Sequence, residues 1–132
     1  MLRVRLHGRG GQGIKTASQI LGSAAFLAGH QAQDFPLYGA ERRGAPIVAF
    51  ARIDDAPILE RGPIAIPDLI LIGDDTLLDD RQVAPTCGAD ARTTIFINTE
   101  QEAPKVRERL NLPSLPVVCG LGPLTRKHLG DP

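Results

Sequence analysis

The chain has 132 residues, of which 42% are hydrophobic and 23% are charged, with 15 basic residues against 15 acidic ones. This composition excludes intrinsic disorder and fibrous repeats. A net charge of zero also lacks the basic excess of a nucleic-acid or membrane-surface binder. With four Phe, one Tyr and no Trp, the core has to be aliphatic, as is typical of a parallel sheet covered by helices.

Two cysteines, Cys87 and Cys119, lie far apart in sequence and form no C-x-x-C pair. We therefore expect them to be reduced thiols, and we predict no metal site on this chain alone. No apolar run approaches the ~18 residues of a membrane span, and no signal-peptide pattern precedes the first predicted strand. These observations predict a cytoplasmic protein without a membrane span.

Alternating and β-branched segments predict short strands, which are separated by helical patterns. The predicted strands are 2–6, 31–35, 47–53, 68–72, 94–97 and 116–119. Apolar residues at helical spacing predict a helix over 12–28, and a brief helical turn is expected at 76–80. A capping box at Thr99 to Glu102 predicts a further helix towards Leu110, and Pro104 fits best in its first turn.

A strand, a glycine turn and a helix, followed by further strands with short helices, predict a single Rossmann-like α/β domain with a mainly parallel sheet. We expect this domain to cover residues 1–119 and residues 120–132 to form an extended or disordered tail. Ligands of such folds bind beyond the carboxyl ends of the strands. The unusual loops at 8–13 and 38–44 both follow predicted strands and could meet there.

The loop from Gly8 to Gly13 has three readings. It satisfies the dinucleotide pattern G-x-G-x-x-G between a strand and a helix, with Asp34 at the end of the next predicted strand. It also satisfies the spacing of a phosphate-binding P-loop, but Ile14 is inserted before Lys15 and turns the lysine by about 100° around the helix. In the third reading, the glycines only permit close packing of the helix on the strand.

Two motifs together resemble one known family. They are Gly8-Arg9-Gly10-Gly11-Gln12-Gly13 and Tyr38-Gly39-Ala40-Glu41-Arg42-Arg43-Gly44. In this order and spacing they resemble the gamma subunit, or gamma domain, of the 2-oxoacid:ferredoxin (acceptor) oxidoreductases, which act on pyruvate, 2-oxoisovalerate, 2-oxoglutarate or indolepyruvate. The sequence departs from the family pattern at Ala45, which replaces a glycine, and at Arg42, where many members carry an apolar residue.

The resemblance implies a non-catalytic subunit of a heteromeric enzyme that oxidatively decarboxylates a 2-oxoacid, usually to acyl-CoA. Thiamine diphosphate and iron–sulfur clusters would belong to the partners, which are thiamine-diphosphate-binding subunits and a ferredoxin-like iron–sulfur subunit. This chain would hold no cofactor alone, would contribute no catalytic residue and would be inactive in isolation. Coenzyme A would be the co-substrate.

The resemblance also assigns the candidate site. The residues expected to border the coenzyme A site are Gly8, Arg9, Gly10, Gly11, Gln12, Gly13 and Lys15. A second loop would lie at the subunit contact near the active centre, through Tyr38, Gly39, Glu41, Arg43 and Gly44. A plainer interpretation of the second loop is an internal ion pair between Glu41 and Arg43 that braces an exposed turn.

The alternative function is a free-standing NAD- or FAD-binding module, or a small dehydrogenase, that uses the glycine loop and Asp34. Such an enzyme needs a catalytic Lys, His or Tyr beyond the cofactor half, and His128 in the predicted tail is a poor candidate. His7, beside the glycine loop, is either a ligand contact or a hydrogen-bonded turn residue.

Overall fold

The protein is described from a computed structural model, which covers residues 1–37 and 42–130. Within these residues, one sheet is flanked by helices. The strands are β1 (Leu2–Arg9), β2 (Gln31–Pro36), β3 (Pro46–Asp54), β4 (Leu69–Ile72), β5 (Thr94–Asn98) and β6 (Val117–Cys119). The helices are α1 (Ile14–Leu27), α2 (Ala103–Leu110) and α3 (Leu121–Leu129), with a short 3₁₀ helix over Asp75–Asp79.

The strand order is β2-β3-β1-β4-β5-β6. The pairs β1 with β4, β4 with β5 and β5 with β6 are parallel, whereas β3 is antiparallel to both of its neighbours. The predicted α/β fold with a mainly parallel sheet is therefore confirmed. The sequence patterns do not show that β3 inserts between β1 and β2, because they report the existence of strands and not their neighbours.

One face of the sheet is covered by α1. Val4 and Leu6 of β1 pack with Ala49 and Ala51 of β3 and with Ile14 of the helix. The side of α1 that meets the sheet consists of Ile14, Ser18, Gly22 and Ala25, which are buried. Because three of these four residues are small, the helix lies close to the strands.

The opposite face carries a second core beneath α2. It contains the buried residues Ile70, Ile72, Leu78, Ile95, Ile97, Val106 and Leu112. Val106 reaches it from α2 with none of its surface exposed. Burial of such aliphatic side chains stabilises the fold by about 1.5–3 kcal/mol each, and this cluster therefore anchors the parallel half of the sheet.

The start of α2 differs from the capping box expected at Thr99. The helix begins at Ala103 with Pro104 in its first turn, where the missing proline N–H costs nothing. The Thr99 hydroxyl instead donates to Asp75 Oδ2 at 2.6 Å. The side chain that was expected to cap the helix therefore ties β5 to the 3₁₀ helix.

The predicted extended or disordered tail from residue 120 is wrong over its greater part, because Leu121–Leu129 form α3. The backbone N–H of Leu121 donates to Asn98 Oδ1 at 2.8 Å, which fixes the beginning of this helix. Pro123 lies in the first turn, where proline is tolerated. Every residue of α3 is at least partly exposed, and Gly122 and Pro123 at its beginning are typical of irregular structure, so the local pattern did not indicate a helix.

The loops that follow β1, β4 and β5 share one edge of the sheet, because these strands are parallel. The N–H of Gly73, after β4, donates to the carbonyl of His7 at 2.8 Å. Asn98 Nδ2 donates to the Gly73 carbonyl at 3.0 Å. This carboxyl edge is the usual ligand crevice of α/β sheets, and the glycine loop opens onto it.

Candidate functional site

The glycine loop and the segment that precedes β3 are joined through their backbones. Gly10 forms a parallel bridge with Arg43. Its N–H donates to the Ala45 carbonyl at 2.8 Å, and its carbonyl accepts from the N–H of Gly44 at 3.0 Å. The structure thus brings together the described parts of the two motifs that the sequence singled out.

The glycines of the loop are required for two reasons, close approach and positive φ. A Cβ at Gly8 would overlap the side chain of Ile14, so Gly8 permits close helix packing. A Cβ at Gly10 would overlap the carbonyl oxygen of Arg42. Gly11 and Gly13 have φ of 92° and 79°, which L residues with side chains rarely adopt.

The explanation by close packing of the helix on the strand is therefore correct for Gly8, whereas Gly10 makes room for the backbone of Arg42, which is not part of the helix. In a dinucleotide fold, the middle glycine lets the backbone approach a pyrophosphate. Here the chain itself, at Arg42 and Arg43, occupies the approach to Gly10.

A polar network on the outer side of the loop was missed by the sequence analysis. The Gln12 side chain accepts from the Arg9 N–H at 2.8 Å and donates to Asp74 Oδ2 at 2.7 Å. The Arg9 guanidinium donates to Thr76 Oγ1 and to the Gly44 carbonyl, at 3.0–3.1 Å, and lies 3.6 Å from Asp74 Oδ2. Asp74 follows Gly73 at the carboxyl end of β4, which is a parallel strand. Functional sites of α/β folds lie at such strand ends, and this position was the signal by which the sequence could have indicated Asp74.

Asp74 is held as a carboxylate by this network. Partial burial would raise its pKa, but hydrogen bonds from Thr76 and Gln12, together with the charge of Arg9, lower it below the ordinary value. Asp74 is therefore an acceptor for Gln12 and a counter-charge for Arg9. The loop side chains are fixed by the protein itself before any ligand arrives.

Replacing Asp74 with alanine is expected to lower the free energy of unfolding by about 1–2 kcal/mol, because Gln12 and Thr76 lose a charged acceptor. The matched control is Asp79→Ala, whose carboxylate also pairs with an arginine but is 70% exposed, against 16% for Asp74. Exposed pairs contribute up to about 1 kcal/mol. Urea unfolding at pH 7.5 measures both changes, and an equal loss in both variants would contradict the role of Asp74.

The beginning of α1 offers free hydrogen-bond donors. In the described part of the chain, no acceptor is found for the amides of residues 13–16, as is usual in the first turn of a helix. Gly13 occupies the N-cap position without a side chain that could satisfy them. Lys15 is exposed on the same turn. An anionic group could therefore be bound here by backbone amides, the helix dipole and one lysine.

Part of the second candidate loop lies outside the described residues. Tyr38, Gly39 and Glu41 belong to this part, and so the proposed ion pair between Glu41 and Arg43 is untested. Arg43 and Gly44 are described and lie against the glycine loop.

Asp34 does not lie where a dinucleotide-binding acid would. It pairs with Ala51 of β3, which in turn pairs with Val4 of β1. Asp34 therefore lies on β2, which is separated from β1 by β3. It is level with Val4 of β1, four residues before the glycine loop begins at Gly8. Its carboxylate faces Gly22 in the middle of α1, where a Cβ would overlap it. This placement does not support the NAD or FAD reading.

His7 is neither a turn residue nor exposed to a ligand, because it is 5% exposed within β1. Its Nε2 accepts from Nε of the equally buried Arg5 at 2.9 Å. Arg5 donates its remaining bonds to the carbonyls of Ile64, Pro85 and Cys87. Burial lowers the pKa of Arg5, and burial together with the Arg5 charge lowers the pKa of His7 to about 4.

Residues 1–37 and 42–130 contain no cluster of three or more His, Cys, Asp or Glu side chains that could hold a metal ion. Cys87 and Cys119 are both free thiols. No helix in the same residues has the length and apolar character to cross a membrane.

Comparisons with known proteins agree with the fold and the motifs. The sequence profile of the pyruvate ferredoxin/flavodoxin oxidoreductase family matches residues 3–126. This match continues past the predicted domain boundary at residue 119 and into α3.

Two curated relatives are each 47% identical to this chain. One is the common gamma subunit of pyruvate/ketoisovalerate oxidoreductases from Thermococcus litoralis, matched over 110 residues, which are 83% of this chain and 58% of the relative. The other is pyruvate synthase subunit PorC from Methanocaldococcus jannaschii, matched over 77% of this chain and 56% of the relative. The chain thus spans a little over half the length of these relatives.

A solved structure, the pyruvate oxidoreductase subunit PORC of Thermotoga maritima, has the same fold. It superposes with a TM-score of 0.83 at 34% identity and covers 97% of this chain and 66% of that one. The resemblance found in the sequence is confirmed, and the chain belongs to the pyruvate ferredoxin/flavodoxin oxidoreductase family.

Proposed function

We propose that this chain is the gamma subunit of a heteromeric, cytoplasmic 2-oxoacid:acceptor oxidoreductase and that its glycine loop lines the site of the acyl acceptor, coenzyme A. Family membership and the gamma-subunit relatives support the first part. The catalytic cofactors, thiamine diphosphate and iron–sulfur clusters, belong in this proposal to the partner subunits. The described residues contain no metal-binding cluster of their own, so they do not fit an iron–sulfur cluster.

The observation that carries the proposal is the backbone junction between the two motifs at the carboxyl edge. Gly10 is hydrogen-bonded to both Ala45 and Gly44. Any displacement of the second loop by a partner subunit is therefore transmitted to the glycine loop. We infer that Tyr38, Gly39, Glu41, Arg43 and Gly44 contact the partner while residues 8–13 face the acceptor.

The loop fits a phosphate group of the acceptor better than it fits a dinucleotide. The amides of Arg9, Gly10 and Gln12 are bonded within the protein, whereas those of residues 13–16 point from the helix start without an acceptor in the described chain. The Arg9 guanidinium is held by Thr76 and Gly44. In this arrangement, the helix start and Lys15 bind the anion, and Arg9 orients the loop.

The chain supplies binding and orientation in this mechanism. A phosphate that docks at the helix start would fix one end of a long acceptor, and its reactive end would extend towards the active centre on the partner subunits. Fixing the acceptor in this way lowers the entropy cost of the acyl transfer that follows. We propose no covalent step and no proton transfer for residues of this chain.

The proposal predicts a selective effect of Lys15→Ala in the assembled complex. The KM for coenzyme A is expected to rise about two- to fivefold, because an exposed ion pair between Lys15 and a phosphate contributes up to about 1 kcal/mol. The KM for the 2-oxoacid should stay unchanged. Steady-state viologen reduction, measured anaerobically with each substrate varied, separates the two constants.

Lys105→Ala is the matched control, since Lys105 is also an exposed helical lysine, 77% exposed beside Glu102 on α2. This variant should leave both constants unchanged. An unaltered KM for coenzyme A in Lys15→Ala would contradict acceptor binding at the loop. A complex that lacks the chain but retains full 2-oxoacid oxidation and normal acceptor affinity would contradict the subunit role.

A further inference from the structure

The edge strand β2 leaves backbone hydrogen-bonding groups without a partner. The N–H of Leu37 donates to the Val48 carbonyl at 3.0 Å, so Leu37 turns its backbone groups towards β3. Successive residues of an antiparallel strand turn these groups to opposite sides. Ala32 and Asp34 therefore present their N–H and C=O groups away from β3, at the outer edge of the sheet. Among the described residues, no backbone partner is found for these groups.

β2 carries few of the features that normally prevent an edge from pairing. Native proteins protect an edge with lysine, proline, a bulge or a covering element. β2 contains no lysine, and its pairing with β3 is continuous from Gln31 to Pro36, so it has no bulge. Its one proline, Pro36, is its last residue. The edge is therefore open to another strand along most of its length.

A cavity of about 410 Å³ lies along the same edge, and we call it the β2 groove. Its lining consists of residues 31–34 of β2 together with Ile58 and Arg61. The segment that contains these two residues is attached to β2, because Gln33 Nε2 donates to the Glu60 carbonyl at 3.2 Å. The groove thus offers strand backbone on one side and an apolar and a charged side chain on the other.

Arg61 gives the β2 groove a positive charge. Its Nη1 donates to the carbonyls of Ile58 and Glu60, both at 2.9 Å, which holds the guanidinium in place. The neighbouring carboxylate of Glu60 is paired with Arg3 and Arg52 instead. Within residues 1–37 and 42–130, no carboxylate forms an ion pair with Arg61. An acidic side chain is therefore the group that complements the groove.

A second copy of this chain does not supply that acid. Gln33 lies on the side of the sheet that carries the Glu60 segment. A copy of β2 paired antiparallel would bring only Gln31, Gln33 and Phe35 to that side, because side chains alternate along a strand. Asp34 points to the other side, where it meets α1. The charge of Arg61 therefore favours a different chain.

We propose that the β2 groove is the docking site of an extended segment of a partner subunit, which adds a strand to the sheet and carries an acidic side chain opposite Arg61. The free backbone groups of β2 recognise the strand, and the guanidinium selects its acid. β2 ends at Pro36, two residues before Tyr38, where the loop that we assign to the partner contact begins. This inference rests on the proposed function, because it requires a partner subunit.

Hydrogen exchange resolved to single amides tests the added strand. The complex is purified anaerobically through a tag on this chain, and bound thiamine diphosphate and iron show that the partner subunits are present. The amides of Ala32 and Asp34 should exchange at least about ten times more slowly in the complex than in the isolated chain. The amides of Gln33 and Phe35, which face β3, are the internal control and should be slow in both states.

Substitution of Ala32 tests the backbone contact independently. Ala32→Pro removes the outward N–H without breaking a bond to β3, and proline is tolerated at such edge positions. Its affinity for a complex depleted of this chain should fall at least about tenfold, since the lost amide and the proline ring both disturb the added strand. Ala32→Ser keeps the N–H and should bind normally. Circular dichroism of both isolated variants checks that the fold is retained.

Substitution of Arg61 tests the charge. Arg61→Gln should weaken the same binding about two- to fivefold, as expected for one exposed ion pair, and the loss should disappear at high salt. Arg92→Gln is the matched control, because Arg92 is 91% exposed beside Asp90 and does not line the β2 groove. This control should bind with unchanged affinity.

The outcomes separate this inference from the proposed function. A complex that contains both cofactors but leaves the amides of Ala32 and Asp34 unprotected, or unchanged binding of Ala32→Pro, would overturn the inference alone. Slow exchange of these amides in an isolated chain with the mass of a dimer would assign the edge to a second copy instead and overturn it as well. A chain that retains no partner subunit would contradict the proposed function, and the inference with it.

Discussion

Gly10→Ala is expected to lower the free energy of unfolding by about 3 kcal/mol, and the melting temperature by about 10 °C. An alanine Cβ at this position would overlap the backbone carbonyl oxygen of Arg42. Backbone cannot rotate away as a side chain can, so the segment before β3 has to move. That movement breaks the hydrogen bonds of Gly10 with Ala45 and Gly44. Thermal unfolding followed by circular dichroism measures the loss.

Gly13→Ala provides the matched control for this prediction. Gly13 also lies in the loop, but nothing lies within 4 Å of the place its Cβ would take. Gly13→Ala therefore lowers the free energy of unfolding only through the positive φ of 79°. This backbone strain amounts to about 1 kcal/mol. If the two variants melt at the same temperature, the junction between the loops does not stabilise the fold as described.

The stability of the chain is expected to fall between pH 6.5 and pH 4 because of His7. Burial, and then the charge of Arg5, lower the pKa of this histidine from 6.5 to about 4 in the folded state. In the unfolded chain the imidazole recovers its ordinary pKa and binds a proton at higher pH. The unfolded state therefore holds more protons in this range, and the free energy of unfolding decreases as the pH falls.

The expected size of this effect is about 2 kcal/mol between pH 7.5 and pH 5, and about 3 kcal/mol when the pH reaches 4. The structure explains the direction in atomic terms. Nε2 of His7 accepts from Arg5, so protonation would place a second positive charge beside a buried guanidinium. Urea unfolding at half-unit intervals of pH measures how the free energy of unfolding changes with pH. The window from pH 6.5 to 5 is informative because it lies above the range in which most carboxylates titrate.

His7→Gln should remove most of this pH dependence above pH 5, because a glutamine side chain can accept from Arg5 without taking up a proton. His30→Gln is the matched control, since His30 is exposed and interacts with Asp55 at the surface. This control should retain the slope of the unmodified chain. If the His7→Gln variant keeps the full slope, another group is responsible for it.

Much of the fold could be predicted from local sequence. The strand at residues 47–53 is rich in β-branched and apolar residues, and the glycines at 8–13 mark the turn into α1 without ambiguity. Local pattern could not reveal that β3 runs antiparallel between β1 and β2, because that arrangement depends on long-range pairing. It also did not indicate α3, because Gly122 and Pro123 in its first turn are typical of irregular structure.

The candidate site was predictable in its backbone and not in its side chains. The glycines and Arg43 were recognised as a pair of motifs, and the structure joins them at Gly10. Asp74 and Thr76 were missed because a short acidic stretch after a strand is common, and only the fold brings it to Arg9 and Gln12. His7 was misjudged for a related reason: its position beside the loop in sequence does not show that β1 is buried on both faces.

The strand order also describes a route by which the chain can assemble during synthesis. Residues 1–54 contain β1, α1, β2 and β3, which pair only with one another until β4 is made. After that, β4 joins β1, β5 joins β4 and β6 joins β5, always at the same side and in the order of translation. Each new strand needs as its template only a strand that is already in the sheet, so the sheet can grow outward while the ribosome is still adding residues.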